Sequence, residues 1–227
     1  MKKLAFYLVM GLMISFLSGC DMNEDGYSLN DSWIGLGLVQ KDTVSEKFTI
    51  ELDNGAVLSP VNNYGWWHEV KDNQRVLANY TIVGDKNSTD NTAQYYVRIN
   101  SLRNILYKGI LNITPEIEDS IGNDPICVKD IWLKKNLLNF ELSYRGGSKI
   151  HFINLVKPAV TSANSNDPVI LELRHNNKGD QETIPLSAVV TFDLSSLKVV
   201  GKTSTSFKVT AKDFDGKNFE YTGEYKY

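Results

Sequence analysis

The stretch Phe48-Thr49-Ile50-Glu51-Leu52-Asp53-Asn54-Gly55 alternates apolar and polar side chains for six residues and then breaks into turn formers. Phe48, Ile50 and Leu52 share one face and Thr49, Glu51 and Asp53 the other, the period-two pattern of a half-buried strand. Asp53-Asn54-Gly55 supplies residues that tolerate positive φ in a tight turn. The same pattern recurs outward along the chain. Gln94 to Asn100 repeats it with Tyr95, Val97 and Ile99, and Gln74 to Val83 is rich in the β-branched and aromatic residues that strands favour. Leu138 to Val156 predicts two strands joined at Gly146-Gly147, a hairpin. Val169, Leu171 and Leu173 mark another strand, and Phe207 to Tyr225 two more around Asp215-Gly216. No segment holds an apolar period of 3.6 between helix caps. The chain is therefore expected to be all-β, with few and short helices.

At 227 residues the chain is long enough for one large domain or two small ones. Pro115 and Pro125 bracket an acidic stretch that contains Gly122-Asn123 and lacks strand alternation. Proline cannot donate to a ladder, so this stretch reads as a linker. The expected layout is a first domain at 29–114, a linker at 115–125 and a second domain at 126–227.

The chain begins with Lys2 and Lys3, then an apolar run from Leu4 to Leu17 broken only by Gly11 and Ser15. That run is shorter than the roughly 20 residues a spanning helix needs, and its layout is that of a secretory signal peptide at 1–19. Leu17-Ser18-Gly19-Cys20 resembles the lipobox of bacterial lipoproteins, which implies cleavage before Cys20 and lipid on its sulfur and its new amine. More than one acyl chain gives stable anchoring without a spanning helix. Residues 20–28 then form a polar tether. Its Asp21, Glu24 and Asp25 are similar to the export signals of some Gram-negative surface lipoproteins, and equally suit a plain solvated spacer. The expected address is the cell envelope, at the outer membrane, on the periplasmic or the surface face.

Without Lys2 and Lys3 the Lys and Arg count drops from 24 to 22 against 27 Asp and Glu, a formal net charge of −5. An acidic exported chain lacks the clustered cations on which nucleic-acid affinity rests. With Cys20 lipidated, Cys127 has no partner within the chain and reads as a small buried hydrophobe.

Several segments carry a resemblance to a known family. Asn73 to Gly84, Tyr95 to Leu106, Gly122 to Leu133, Leu138 to Val156 and above all Leu171-Glu-Leu-Arg-His-Asn-Asn-Lys-Gly-Asp180 resemble the NigD-like family of exported lipoproteins. The resemblance implies an N-terminal OB-type barrel followed by a C-terminal β-sandwich. It also implies a bacteriocin-immunity association through the family's name, and it supplies no catalytic residue or ligand. OB barrels bind oligonucleotides or oligosaccharides in many proteins, but fold alone does not fix function.

Candidate contacts fall in two places. Tyr64, Trp66 and Trp67 lie in a loop or strand edge of the first domain, where aromatics either stack on a sugar or anchor a partner, or pack beneath the loop. Arg174, His175 and Asp180 form the sharpest polar group. Read functionally, Arg174 and His175 donate to an acidic partner while Asp180 orients them. Read structurally, Asn176, Asn177 and Gly179 make a turn that Arg174 and Asp180 close, and this reading is the more economical. His68, His151 and His175 are far apart in sequence and show no zinc spacing, and His151 sits on a core strand. Gly35 and Gly37, with no helix after them, let a strand bend and do not make a dinucleotide loop. No catalytic residue, metal or cofactor is expected. The expected function is a non-catalytic protein-interaction module of the envelope; the alternative is glycan or small-ligand binding through the barrel aromatics.

Overall fold

The computed structural model describes residues 26–87, 92–158 and 167–227. The expected signal segment and Cys20 lie outside the described residues. Phe48, Ile50 and Leu52 all turn inward from β2 (Lys47–Leu52), as their alternation requires. Gly55, at φ 92°, then turns the chain from β2 into β3 (Val57–Pro60). With β1 (Trp33–Asp42), β4 (Arg75–Asp85) and β5 (Gln94–Asn104) these strands close a barrel in the order β1-β2-β3-β5-β4. All neighbours are antiparallel except β3 and β5. Closure leaves no free sheet edge.

The expected bend at Gly35 and Gly37 has a more specific cause. A Cβ at Gly37 would lie 2.6 Å from Ile50 Cγ2 and 2.7 Å from the Glu51 carbonyl. Glycine lets β2 press its side chains into the barrel. The segment around Tyr64, expected as loop or strand edge, is instead a five-residue helix, α1 (Asn63–Trp67), which lays both tryptophans against the barrel core. Lys41 holds it there by donating to the Trp67 and Val70 carbonyls at 2.8 and 3.0 Å.

After β5 the chain leaves the barrel. β6 (Leu106–Gly109) and β7 (Leu111–Asn112) are consecutive, yet each joins a different sheet of the second domain. One sheet runs β6-β12-β9-β8, from β8 (Cys127–Lys134), β9 (Leu137–Gly146) and β12 (Ile184–Asp193). The other runs β14-β13-β11-β10-β7, from β10 (Phe152–Lys157), β11 (Val169–Asn176), β13 (Ser204–Lys212) and β14 (Asn218–Lys226). Leu138, Phe140 and Leu142 of β9 meet Leu171, Leu173, Phe207 and Val209 between the sheets, all essentially inaccessible. This is a β-sandwich core.

Two expectations change here. The barrel ends at Asn104, so Pro115 to Pro125 lies inside the sandwich domain. Pro115 starts the helix α2 (Pro115–Ile121), where a missing N–H costs nothing, and Ile117 and Ile121, four apart, pack on Ile113 and Val156. The hairpin expected over Leu138 to Val156 does not form. β9 pairs with β8 and β12 while β10 pairs with β11 and β7, so the Gly146-Gly147 segment crosses between sheets. Alternation fixes which face of a strand is buried, and it does not choose the neighbour. The hairpin of β13 and β14 does form, with Asp215 and Gly216 both at positive φ.

Candidate functional site

The two domains meet over Arg75, a fully buried cation on the outer side of β4. Its guanidinium donates to both oxygens of Asp53, at 2.7 and 2.5 Å, and Asp53 sits in the turn after β2. Across the junction it donates to Asn139 Oδ1 of β9 at 2.8 Å and to Thr191 Oγ1 of β12 at 3.2 Å. Trp132 Nε1 of β8 donates to Asp53 at 3.2 Å, and Thr191 donates to Asn139 at 2.7 Å. A buried charge is tolerated only when paired and hydrogen-bonded, and here the partners come from both domains. The junction is thereby a fixed geometry.

Beside this network the sandwich is open along one side. β6 covers β12 only from Val190 to Asp193, and β7 covers β10 only at Val156 and Lys157. Lys108 of β6 closes the lower seam by donating to the Ile153 carbonyl and to Asn154 Oδ1, at 3.3 and 3.0 Å. Above it, Ile184 to Val189 of β12 have no ladder partner on that side among the described residues. A cleft of about 470 Å³ lies there, between Leu77, Arg103 and Asn104 of the barrel with the connecting Ile105 and Leu106, and Tyr144, His151, Ile153 and Val190 of the sandwich. Glu141 and Ser187 line its outer lip. Among the described residues Arg103, Glu141 and the Tyr144 hydroxyl have no hydrogen-bond or ion-pair partner. Burial pushes the Tyr144 hydroxyl up from its ordinary pKa.

His151, which lines the cleft, belongs to a buried polar chain. His175 Nδ1 lies 3.0 Å from the Pro125 carbonyl, His175 Nε2 lies 2.9 Å from His151 Nδ1, and His151 Nε2 lies 3.2 Å from Asp180 Oδ2. His175 donates from Nδ1 to the Pro125 carbonyl, which can only accept, and its Nε2 meets His151, whose other nitrogen meets Asp180. Burial lowers the His175 pKa, consistent with a neutral ring there. Burial opposes ionisation of Asp180, yet the Gly147 amide, His151 and the Lys149 and Ser148 amides together hold its carboxyl well below the usual range. The Gly147 and Ser148 amides donate to it at 2.5 and 3.2 Å. Tyr144 packs against both imidazoles at a tilt, with ring centroids 5.1 Å away in each case. None of these bonds reaches a serine hydroxyl or a cysteine thiol. No group of three or more His, Cys, Asp or Glu among the described residues is placed to hold a metal ion.

Although far apart in sequence, His151 and His175 touch, while His68 stands apart on the barrel against Tyr64. Asp180 belongs to the joined pair and clamps the crossing at Gly147 and Ser148. Arg174 does not join them. Adjacent strand residues face opposite ways, so His175 enters the core while Arg174 turns out to Glu172 at 2.6 Å and Glu118 at 3.8 Å. The turn after β11 is closed by Asn176 accepting from the Lys178 amide and Asn177 from the Gly179 amide, with no bond from Arg174 to Asp180. Of the barrel aromatics, Tyr64 is 88% exposed while Trp66 and Trp67 are half-buried, so the three do not form one open face. The aromatics that gather on the barrel are Tyr27, Trp33, Tyr80 and Tyr95. Tyr27, placed in the tether by sequence, donates to Asp85 at 2.6 Å, and that bond, with some burial, raises its hydroxyl pKa to about 12. Cys127 is half-exposed on β8, not fully buried.

Arg75, Asn139, Thr191 and Arg103 escaped sequence reasoning. Each sits at a strand position whose alternation marks it as facing away from its own core. The one signal was a charge immediately before the apolar run of β4.

Residues 36–105 match the model of the NigD-like N-terminal OB domain, and residues 109–225 that of the NigD-like C-terminal beta sandwich domain. Among solved structures, a protein of Parabacteroides distasonis described as related to a toxin is 30% identical, with TM-score 0.70, covering 86% of this chain and 94% of that one. A protein of unknown function from Bacteroides vulgatus is 26% identical, with TM-score 0.71, covering 87% and 92%. A NigD-like immunity protein from Bacteroides caccae, 22% identical with TM-score 0.61 over 88% and 98%, shares the fold. No curated protein matches the chain.

Proposed function

From the premise that this chain belongs to the NigD-like family, we propose that it is a non-catalytic lipoprotein of the cell envelope, anchored through Cys20, that works by binding another protein at the junction of its two domains. The observation that carries this reading is the junction cleft. The Arg75 network fixes its two walls, and Arg103, Glu141 and the Tyr144 hydroxyl stand in it without partners among the described residues. The name of the immunity protein from Bacteroides caccae supports a protein as the partner, since immunity is exerted on a toxin. The outer-membrane address rests on the Leu17 to Cys20 pattern and the acidic residues that follow it. The histidine–aspartate chain is a structural tie in this reading, because its bonds close on one another and on backbone groups.

The test is site-specific photocrosslinking in intact cells, with the reactive residue at Ser187 on the cleft lip and a control on the far side of the barrel at Val44, which is 94% exposed. A discrete protein adduct at Ser187, absent at Val44, supports the reading. An adduct only at Val44 places the interaction elsewhere. Adducts from neither position, in cells where known envelope complexes crosslink, remove it.

A further inference from the structure

We infer that the junction cleft receives an extended peptide segment of the partner, which adds as a strand to the free edge of β12 above Leu106. This rests on the interaction reading and specifies its chemistry. The first argument is continuity. The chain's own β6 already lies along β12 in parallel, with Leu106 opposite Val190 and Gly109 opposite Asp193. The seat for a strand therefore exists and is only partly filled. Over Ile184 to Val189 the same edge has no ladder partner among the described residues; Pro185 has no N–H to give, and the four residues Leu186 to Val189 beyond it extend about 13 Å. Unpaired edge N–H and C=O groups are a template for a further strand, which is the basis of peptide recognition by β-addition.

The second argument is the lining. A strand placed there has one face toward the seam, where Ile153, Val190 and the Tyr144 ring offer an apolar mouth, and the other toward the outer lip. Side chains alternate between the two. Apolar residues of the segment enter the seam and the residues between them face Glu141. Glu141 lies opposite Val189 in the β9–β12 register, so a lysine or arginine stem crossing Val189 reaches its carboxylate. Arg103, on the barrel side, takes an acidic flanking residue or the segment's C-terminal carboxylate. Ile184, at the start of the same edge, is 52% exposed.

The test uses the full lipidated protein in detergent micelles and a bead-displayed library of capped heptapeptides. Odd positions are Val, Ile, Leu or Phe, and even positions are Lys, Asp, Ser or Thr. The expected selection favours lysine over aspartate at one even position. Bound peptide slows hydrogen exchange of amides within Ile184 to Val189. Glu141→Lys, at an exposed residue with no partner among those described, weakens binding of the selected basic peptides by roughly three- to fivefold, the effect of a surface ion pair, and shifts selection toward aspartate. Peptides that bind without protecting β12, or whose preference ignores Glu141→Lys, overturn strand addition. No binder, alongside a Ser187 crosslink to a protein in cells, also overturns it while leaving the interaction reading intact. Binders that protect β12 in a protein that crosslinks to nothing at Ser187 support strand addition and sink the envelope-partner reading. Binding at the cleft by small solutes from a fragment set, with the peptides inert, reassigns the cleft to a small ligand.

Discussion

The guanidinium of Arg75 in the barrel donates to the side-chain oxygen of Asn139 in the sandwich at 2.8 Å, and both residues are essentially inaccessible. They stand 64 positions apart, and each faces away from the core of its own domain. The outer face of each strand is buried only because the other domain covers it. The same packing forms the walls of the cleft.

Removing one member of that network should be far worse than removing two. Asp53→Ala leaves the Arg75 cation buried beside amide and hydroxyl groups alone, and should cost about 3–5 kcal/mol in urea unfolding. Adding Arg75→Met should recover a substantial part of the loss. A single variant within about 1 kcal/mol of the parent chain would show that the charge is not held as the geometry requires.

Acid should loosen the sandwich in two stages. His175 has a folded pKa below its ordinary value, so the unfolded chain binds more protons and stability falls as pH drops below about 6.5. Asp180 also has a depressed folded pKa; its contribution is full above the unfolded value of about 3.9 and is lost as pH falls further toward the folded one. Thermal melts across pH 3 to 8 should show both stages, and Asp180→Asn should remove the lower. A melting temperature that rises on acidification from pH 7 to 5 would contradict the assignment of His175.

The paired glycines of the crossing should not be equivalent to glycines elsewhere. A Cβ at Gly146 would meet Leu186 Cδ1 at 2.7 Å and the His151 ring at 2.9 and 3.0 Å, and that ring is fixed by bonds at both nitrogens. Gly146→Ala should cost about 1–3 kcal/mol, as overpacking does. Gly109→Ala, with nothing within 4 Å, should be tolerated far better. Equal melting temperatures for the two variants would rule out the close approach.

In the barrel, Trp66→Ala and Trp67→Ala should each destabilise by roughly 2 kcal/mol, less than the ~3–5 of a fully buried tryptophan. Tyr64→Ala should leave stability within about 0.5 kcal/mol, as surface changes do. If Tyr64→Ala abolishes partner capture while the cleft crosslink at Ser187 disappears too, the helix α1 takes part in binding.

Cys20→Ala should release the protein from the membrane fraction and abolish fatty-acid labelling. Labelling that persists in this variant would refute anchoring at that residue.

How much was legible in advance follows from particular elements. The alternation from Phe48 to Leu52 gave β2, its turn and its buried face directly, since side-chain direction in a strand is a local property. The sandwich strands of Leu138 to Leu142 and Leu171 to Leu173 were equally plain. The helix α1 was missed because five residues hold too little periodicity to outvote a Gly between aromatics. The Gly146-Gly147 pair suggests a hairpin, but it marks a place where the backbone passes something closely, here His151 just before β10 and Asp180 in the turn after β11.

By itself the sequence determined the class of structure, the two domains, the inward faces of most strands and the expectation of a lipid anchor, because each depends on residues near one another in the chain. The tertiary structure decided which strands are neighbours, that His151, His175 and Asp180 form one chain of hydrogen bonds, and that Arg75 faces the other domain. It also decided that Ile184 to Val189 of β12, beside Arg103 and Glu141, have no ladder partner on one side among the described residues. These are contacts between residues tens of positions apart, and period-two patterning says which side of a strand is covered without saying by what.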